Sequence, residues 1–597
     1  MPTGGGKSIT FQVPAIVQKG VCIVVTPLIA LMKDQIAQLK QRGIKAACIY
    51  GEMKHEDIVV TLENCIFGRY KLLYVSPERL SSELFITKLR HIDVSFITID
   101  EAHCISQWGH DFRPSYLKIR DIRKEKPDAP ILALTASATE DVVEDIQRQL
   151  GFRRKNVVRM SFHRPNIIYT VERHDVATIG MLTALERHPG SCIIYTRNRK
   201  NCMNYAKMLQ QLGYNATYFH AGLPDSEKSA RQHDWTVGNT RIMVATNAFG
   251  MGIDKSDVRL VMHLDPPDSI EAYFQEAGRA GRDGKTAYAI LITEGKDATV
   301  MKRRMATRFP EKEYIREVYE KLCFFLQLAE GDGRGMKRDF DLMEFCTAFH
   351  LHSLMAVRAL QLLTDAGYLD FHAEENTVSR MYIPATRHEL YNAINGKQNE
   401  EIMTSILRNN YGIFSQYCWL DEALISRETG YTQQNIYECL TRLSGMHIVH
   451  YIPKKQCSQV TFVQQRIPRH KIVLSEDIYD KRKELYGRQL KSMLHYIEDT
   501  TTCKARTLLR YFGEEHEGDC MACNVCQSRY FKTPTQEEYD RLHDHIVEQM
   551  KDGKPFALHK LKFNEFLNNY HIDYVLQHMA RKKEIVPVNM FEYMLKL

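Results

Sequence analysis

Short apolar runs alternate with longer amphipathic stretches between residues 20 and 140. The runs read VCIVVTP, KLLYVSP, FITIDEAH and ILALTAS, and each is followed by a loop and a stretch with helical periodicity. Strands buried on both faces have such continuous apolar sequences, so the pattern predicts a parallel sheet covered by helices. It recurs between about 165 and 295 in SCIIYTR, ATYFHAG, RIMVATN, LVMHLD and AYAILIT. We therefore predict an α/β fold with two similar lobes, joined near FHRPN at 162–166.

Helical periodicity replaces the strand pattern beyond residue 305. The segment ALQLLTDAGYLDF, 359–371, predicts a helix that ends at Gly367 and runs into a strand. Residues 422–465 predict two helices and a two-stranded wing whose strands flank KKQCS. This is the winged-helix pattern, which either reads DNA or serves only for packing. Residues 535–597 repeat the helical pattern and end in IVPVNMFEYML, which predicts a further unit of this type.

Composition places the chain among ordinary multidomain proteins. A length of 597 residues suggests about four domains at roughly 150 residues each. The longest apolar stretch, 21–32, contains Thr26 and Pro27 and is shorter than a membrane span. The N-terminus lacks the features of a signal peptide, so we expect a cytoplasmic protein. The net charge of +7 suits a nucleic-acid partner without establishing one.

The first eight residues, MPTGGGKS, match a phosphate-binding loop at every position except Met1, which replaces a glycine. Consecutive glycines allow backbone N–H groups to converge on phosphate oxygens. Lys7 is expected to reach the β and γ phosphates, and the Ser8 hydroxyl is expected to bind Mg²⁺. A chance GKS turn is the alternative for this motif taken alone. The predicted ATP-binding residues here are Thr3, Gly4, Gly5, Gly6, Lys7 and Ser8.

The apolar run from Val94 to Ile99 ends in Asp100-Glu101-Ala102-His103. An acidic pair at the tip of a parallel strand is placed to hold Mg²⁺ through Asp100, while Glu101 orients and activates the attacking water. Taken alone, this sequence is also compatible with a solvated loop. Together with the phosphate loop it predicts nucleotide hydrolysis.

These two motifs resemble motifs I and II of superfamily 2 helicases, and the sequence after them resembles the RecQ family. The further resemblances are VVTPLIALMKDQ (24–35) to motif Ia, YVSPERL (74–80) to Ib, TASAT (135–139) to III, IIYTR (193–197) to IV, VATNAFGMGIDK (244–255) to V and QEAGRAGRDG (275–284) to VI. The resemblance spans residues 1 to about 300 in the family's order. It implies two RecA-like lobes, ATP and Mg²⁺ as cofactors, and DNA as the partner. It further implies 3′ to 5′ unwinding in DNA repair and recombination.

The resemblance also assigns residues in both lobes. Motif VI implies that Arg279 and especially Arg282 are arginine fingers, which neutralise charge on the phosphate in transfer. Motif V implies that Asp254 lies near the ribose and Gly250 in the same turn, although both residues also suit a purely structural turn. The predicted catalytic residues are Lys7, Asp100, Glu101, His103, Arg279 and Arg282.

The stretch CISQWGHDFRPSY, 104–116, resembles the aromatic-rich loop by which RecQ proteins sense DNA. Trp108 and Phe112 offer faces on which unpaired bases stack, and Arg113 pairs with phosphate. Because the loop directly follows the acidic motif, it is placed to couple DNA contact to hydrolysis. Burial of Trp108 between the lobes is the alternative.

Four of the 15 cysteines form a group with the spacing of a metal site: Cys503-x16-Cys520-x2-Cys523-x2-Cys526. Four thiolates suit tetrahedral Zn²⁺, and an iron–sulfur cluster is the competing metal. The surrounding CKARTLLRYFGE and CMACNVC resemble the RecQ zinc module. We therefore expect a structural Zn²⁺, since a shell of four cysteines leaves no open position.

Two features depart from the family pattern. Motif VI ends at 284, yet the first zinc cysteine is 503, so 306–475 is predicted to be an insertion whose role the family does not supply. The strand that should enter the phosphate loop and the upstream adenine-recognising motif are missing. We therefore expect Met1 to mark a misplaced start or a fragment boundary, and the chain to show weak ATPase activity and poor solubility.

The predicted organisation is lobe 1 at 1–160, lobe 2 at 161–305, a helical region with winged-helix units at 306–475, a zinc-binding subdomain at 476–532 and a short winged-helix-like domain at 533–597. The leading functional hypothesis is an ATP-dependent DNA helicase. The alternatives are a winged-helix DNA-binding protein with a degraded ATPase and an RNA helicase, which the aromatic loop and the cysteine group disfavour.

Overall fold

The structure is a computed structural model. It describes residues 1, 4–51, 53–106, 109, 112–250, 255–376, 379–394, 396–410, 412–414, 417–453, 456–530, 533–556, 561, 569–588 and 593–596. The chain divides into two compact units, one of residues 1–302 with 485–597 and one of residues 303–484. Among the described residues, we find no helical segment with the length and apolar character needed to cross a membrane.

The first lobe is a parallel sheet with an apolar core on each face. Its strands are β1 (Val21–Val25), β2 (Ala46–Ile49), β3 (Leu72–Val75), β4 (Val94–Ile99) and β5 (Ile131–Ala133), in the order β2-β3-β1-β4-β5. Its helices are α1 (Lys7–Val17), α2 (Ile29–Gln41), α3 (His55–Ile66), α4 (Glu83–Leu89), α5 (Ile119–Glu125) and α6 (Glu140–Leu150). Ile23 and Val25 enter one core while Cys22 and Val24 enter the other. Burial on both faces explains why the predicted strands are continuously apolar. The four predicted strands are confirmed as β1, β3, β4 and β5, whereas β2 was not predicted.

The second lobe repeats this design. Its strands are β6 (Ile167–Arg173), β7 (Ser191–Tyr195), β8 (Ala216–Phe219), β9 (Ile242–Ala245), β10 (Val258–His263) and β11 (Ala287–Thr293), in the order β6-β11-β10-β7-β9-β8. Its helices are α7 (Ala177–Arg187), α8 (Arg199–Gln211), α9 (Asp225–Val237) and α10 (Ile270–Ala277). The five predicted strands are confirmed, and β6 is an addition that pairs in parallel with β11. In both lobes the carboxyl ends of the strands meet at one edge, where ligands bind in folds of this kind.

The second unit is mainly helical, with two small antiparallel sheets. Its helices are α11 (Asp297–Arg308), whose first residues belong to the first unit, α12 (Lys312–Phe325), α13 (Leu342–Ala348), α14 (Ser353–Asp365), α15 (Arg387–Ala393), α16 (Lys397–Asn409), α17 (Glu422–Thr429) and α18 (Gln433–Gly445). Its strands are β12 (Lys337–Phe340), β13 (Leu369–Asn376), β14 (Ser379–Tyr382), β15 (Cys418–Leu420), β16 (His450–Ile452) and β17 (Gln456–Phe462). The helix and strand predicted within 359–371 are confirmed as α14 and β13, separated by Gly367 at φ 76°.

The two-stranded wing predicted at the end of 422–465 is wrong, although both of its helices are confirmed as α17 and α18. Strand β16 pairs with β14 in the sheet β15-β14-β16, whereas β17 pairs with β12 and β13 in a separate sheet. Neighbours in sequence suggested a hairpin. Core packing instead determines which strands pair. Tyr451 in β16 packs with α17 and α18, whereas β17 completes the sheet that begins with β12.

The rest of the chain is helical and ends in a small hairpin. Its elements are α19 (Asp480–Glu498), α20 (Lys504–Tyr511), α21 (Asn524–Tyr530), α22 (Gln536–Met550), α23 (Asn569–Arg581), β18 (Ile585–Pro587) and β19 (Tyr593–Leu595). It belongs to the first unit except for the first residues of α19, which belong to the second. Helix α22 begins with a capping box between Thr535 and Glu538. Helices α22 and α23 share a core with β18 through Ile546, Val575 and Ile585.

Candidate active site

The phosphate loop is a tight glycine turn that leads into α1. Gly4 and Gly6 both have φ 81°, a left-handed conformation that only glycine adopts at little cost. Gly6 stands at the N-terminus of α1, and Lys7 is its first residue. Free backbone N–H groups at the start of a helix attract anions. The loop therefore has the backbone geometry of a phosphate site.

The acidic motif meets this loop at the carboxyl end of β4. The Nζ atom of Lys7 lies 3.5 Å from Oε1 of Glu101, and both side chains are largely buried. The backbone N–H of Glu101 donates to Oδ1 of Asp100 at 3.0 Å, and Tyr116 donates to the Asp100 carbonyl oxygen at 3.1 Å. Burial and the neighbouring Glu101 charge raise the pKa of Asp100 to about 6. A divalent cation at this position would hold the Asp100 carboxylate in its charged form.

Glu101 also connects the acidic motif to TASAT. Its backbone has φ 48°, a left-handed conformation uncommon for a residue with a side chain. Its Oε2 lies 3.4 Å from Nδ1 of the fully buried His103, and that same nitrogen lies 3.0 Å from Oγ1 of Thr135. Glu101 thus lies between Lys7 and His103. Thr135, which follows β5, connects the end of that strand to this cluster.

A glutamine that the sequence reasoning did not single out contacts the predicted Mg²⁺ ligand Ser8. Gln35, in α2, donates from Nε2 to Oγ of Ser8 at 3.1 Å. This bond directs the Ser8 hydroxyl hydrogen away from α2, because the oxygen accepts from Gln35. The position of Gln35 at the end of VVTPLIALMKDQ could have indicated this role, but the sequence analysis identified that segment only as motif Ia.

The two motif VI arginines have different surroundings. The Arg279 guanidinium is buried and donates to the carbonyl oxygen of Gly250, so it braces the motif V turn. A Cβ atom at Gly250 would lie 3.0 Å from Nη2 of Arg279, which explains the glycine. Arg282 instead lies against the phosphate loop, because its Cγ is 3.4 Å from the position of a Cβ on Gly4. The two predicted fingers are therefore not equivalent.

A third arginine, Arg164, joins the lobe junction to motif VI. Its guanidinium donates to the carbonyl oxygens of Gly278 at 3.3 Å and of Ala280 and Gly281 at 3.0 Å each. Its Nη1 also lies 3.7 Å from the position of a Cβ on Gly4. Sequence reasoning used FHRPN only to place the lobe boundary and missed this role. Arg164 therefore places a positive charge close to the phosphate loop.

We expect Arg164→Ala to lower the rate of ATP hydrolysis about tenfold or more, because the loop that carries Arg282 loses its anchor and the phosphate site loses a positive charge. Arg164→Lys should restore only part of the rate, since lysine lacks the planar fork that reaches several carbonyls. Arg241→Ala is the matched control, because Arg241 also donates to backbone carbonyls, those of Leu185 and Gly190, but directly precedes β9, which three strands of the sheet separate from β6. Steady-state ATP turnover of the three variants, with thermal melting as the folding check, tests this. Equal losses in Arg164→Ala and Arg241→Ala would contradict a specific role for Arg164.

Only part of the aromatic loop belongs to the described residues. Trp108 lies outside them, as do Thr3 and Asp254, so these three predicted site residues stay predictions. Phe112 is half-buried, and Arg113 donates from Nη1 to the Pro27 carbonyl oxygen at 3.4 Å. A Cβ on Gly109 would lie 2.3 Å from the His103 carbonyl oxygen, so this position requires glycine. The described part of the loop is thus held tightly against the acidic motif and motif Ia.

The four predicted metal cysteines come together. The Sγ atoms of Cys503, Cys520, Cys523 and Cys526 all lie within 4.8 Å of one another, and three of the residues are buried. Backbone N–H groups of residues 504, 520, 523 and 526 point at these sulfurs from 3.3 to 3.5 Å. Such donors stabilise thiolates, which are the form that binds metal. The donor set therefore fits Zn²⁺.

The cysteine module is fixed to lobe 2. Phe512 stacks on Phe162 with ring centroids 4.7 Å apart, and the Tyr511 hydroxyl donates to Glu271 at 2.8 Å. Asn524, between the third and fourth cysteines, accepts the backbone N–H of Val171 in β6 at 3.1 Å. Any loss of the module's fold would therefore uncover aromatic surface on lobe 2.

Two parallel-sheet lobes that bring a phosphate loop, an acidic pair and arginines together have the architecture of the two-lobed helicase class. The DEAD/DEAH box helicase family model matches residues 1–146, and the helicase conserved C-terminal domain model matches 176–284. The models for the RecQ helicase winged-helix domain of Bacteroidota and for RecQ zinc-binding match 381–453 and 448–527. The chain belongs to the RecQ family of helicases.

The winged-helix match bears on one expectation. The segment 306–475 was predicted to be an insertion whose role the family does not supply, yet residues 381–453 within it match the model of a RecQ helicase winged-helix domain. That domain ends with β16, which agrees with the separation of β16 from β17 in the structure.

Several relatives match about half of this chain. The chain is 44% identical over 305 residues to the ATP-dependent DNA helicase RecQ of Bacillus subtilis, covering 51% of each chain. It is 44% identical over 299 residues to RecQ of Haemophilus influenzae, covering 50% of this chain and 48% of that one. It is 38% identical over 327 residues to the probable ATP-dependent DNA helicase RecS of B. subtilis, covering 54% of this chain and 66% of RecS. The chain thus spans about half the length of the RecQ relatives that it matches.

Proposed function

We propose that this protein is an ATP-dependent DNA helicase that couples ATP hydrolysis to 3′ to 5′ translocation and duplex unwinding. The observation that carries the proposal is the approach of Arg282 and Arg164 to Gly4, beside Lys7 and Glu101. Lobe 2 carries Arg282 and the lobe junction carries Arg164, and both cations lie at the phosphate loop. Hydrolysis therefore depends on the position of the lobes. The names of the RecQ relatives, which are ATP-dependent DNA helicases, support DNA as the substrate. The 3′ to 5′ polarity is proposed from the resemblance to the RecQ family.

Each residue of the site has a proposed task. The backbone of Thr3, Gly4, Gly5 and Gly6 holds phosphate oxygens, and Lys7 neutralises their charge. Ser8 and Asp100 would hold Mg²⁺, which would screen the charge of the phosphates, and Gln35 orients the Ser8 hydroxyl. Glu101 takes a proton from the attacking water, while His103 keeps its carboxylate in position.

The second lobe completes the site. Arg282 meets the charge that develops on the phosphate in transfer, while Arg279 keeps the Gly250 turn in shape. Asp254, in the same motif, would contact the ribose. In the aromatic loop, Trp108 and Phe112 would stack on unpaired bases and Arg113 would report this contact to motif Ia through Pro27. DNA binding then alters the edge that carries Asp100 and Glu101.

The cysteine module would hold a structural Zn²⁺ through Cys503, Cys520, Cys523 and Cys526. A shell of four thiolates leaves no position for substrate, so the metal would stabilise the module's fold. The module would in turn keep lobe 2 covered at Phe162 and Glu271. We assign no catalytic step to it.

ATP turnover with and without DNA, together with strand displacement, tests the proposal. We expect single-stranded DNA to stimulate turnover about tenfold or more, since stacking in the aromatic loop organises the site. Duplexes with a 3′ tail should be unwound, and matched duplexes with a 5′ tail or made of RNA should not. DNA binding without ATP turnover would instead favour a winged-helix DNA-binding protein, and equal activity on RNA would favour an RNA helicase.

A further inference from the structure

The sheet β15-β14-β16 in the second unit has one buried and one exposed face. Met381, Leu420 and Tyr451 point inwards and are buried in a core shared with α17 and α18. Alternation along each strand puts the neighbours of these residues on the opposite face. The outward residues are Arg380, Tyr382, Tyr417, Trp419, His450 and Ile452. We call these six residues the aromatic face.

The aromatic face is an ordered cluster of rings. The rings of Tyr382 and Tyr417 lie 5.7 Å apart, and Tyr417 forms a hydrogen bond of 2.7 Å with Nδ1 of His450. Across the next cross-strand row, the Arg380 guanidinium lies over the Trp419 ring, 5.2 Å from its centroid. Trp419 is 63% exposed and Tyr417 47% exposed. The rings are therefore fixed by one another while their surfaces remain open to solvent.

This composition is unusual for the solvent side of a sheet. An antiparallel sheet with one buried face normally carries polar side chains on the other. Here Trp419, Tyr417 and Ile452 are all exposed in one small area. None of the six side chains is a carboxylate, and Arg380 supplies a positive charge. Exposed aromatics grouped with a cation indicate a binding surface for an anionic ligand that has flat apolar faces.

We propose that the aromatic face is a stacking platform for single-stranded DNA, separate from the aromatic loop of lobe 1. Bases stack on exposed rings without sequence preference, and a guanidinium on such a ring adds a cation that pairs with phosphate. The choice of DNA rather than another single-stranded nucleic acid rests on the proposed helicase function. The platform would hold a strand that unwinding has released.

The size of the aromatic face favours this ligand over a protein partner. Three strands spaced about 4.8 Å apart, with three or four residues each, form a surface of roughly 10 by 12 Å. A stable protein interface needs about 800 Å² on each partner. Sheet platforms of this size accommodate about two or three stacked bases.

Binding of a short fluorescent oligothymidine to the full chain, at fixed salt and without nucleotide, tests the platform. We expect the double variant Tyr417→Ala/Trp419→Ala to lose affinity about tenfold or more, since each base–aromatic stack contributes roughly 1–3 kcal/mol and 1.4 kcal/mol corresponds to tenfold. Trp419→Phe should retain most of the affinity because a ring remains. Tyr391→Ala is the matched control, because Tyr391 is 69% exposed in the same unit but lies on α15.

Three results would overturn the platform: unchanged affinity in the double variant, an equal loss in Tyr391→Ala, or a loss of self-association in place of DNA affinity. Thermal melting of each variant shows whether the second unit is still folded. If the double variant is not folded, the single variant Trp419→Ala decides the matter, because it should lose affinity while Trp419→Phe keeps it. Because this measurement needs no ATP, it distinguishes a failure of the platform from a failure of the helicase proposal. A wild-type chain without DNA-stimulated turnover would contradict that proposal and leave the affinity comparison valid.

Discussion

Lys7→Ala and Glu101→Gln each lower ATP turnover by about a hundredfold or more, while affinity for single-stranded DNA stays within a few fold. This is the expected result because the first substitution removes the charge that faces the phosphates and the second removes the base for the attacking water. The two side chains lie 3.5 Å apart, so each also positions the other. The measurement is steady-state ATP hydrolysis beside equilibrium DNA binding.

Another ion pair in lobe 1 provides the matched control. Lys88 and Glu63 form a pair of 3.0 Å between α4 and α3, with more exposed side chains than Lys7 and Glu101. Lys88→Ala and Glu63→Gln should leave turnover nearly unchanged, since surface pairs contribute little to stability. If turnover in Lys7→Ala stayed near the wild-type value, or if DNA binding were lost together with hydrolysis, the assignment of the site would be wrong.

Replacing Cys523 by serine should release the metal and unfold the cysteine module. The Cys523 sulfur is fully buried and accepts backbone N–H groups from Lys504 and Cys526. Without this thiolate we expect the bound zinc to fall about tenfold or more, because metal binding and folding are one equilibrium in a small module. The uncovered Phe162 and Phe512 should then lower solubility. Elemental analysis of the purified chain and thermal melting measure both effects.

Cys48→Ser is the control for this substitution, because Cys48 is half-buried in β2 and lies outside the cysteine group. Its zinc content should equal that of the wild type. Iron in the purified wild-type chain would replace the zinc assignment by an iron–sulfur cluster. Full zinc content in Cys523→Ser would show that this cysteine is not a ligand.

The sequence alone determined the lobes and most of the candidate site. Strands covered on both faces must be apolar throughout, so β1, β3 and β4 were visible as continuous runs. Residues at the carboxyl ends of parallel strands meet at one edge, so the acidic pair and the phosphate loop could be brought together without coordinates. The cysteine spacing likewise limited the metal to a shell of four sulfurs.

Contacts between distant segments were decided only by the tertiary structure. Arg164 and Gly278 are separated by 114 residues, and no local pattern indicates that one anchors the other. Strand β16 takes β14 as its partner rather than the nearby β17, since the burial of whole sheets outweighs the short connection that favours a hairpin. The aromatic face arises in the same way, because its six residues come from three separated segments and become one surface only when those strands pair.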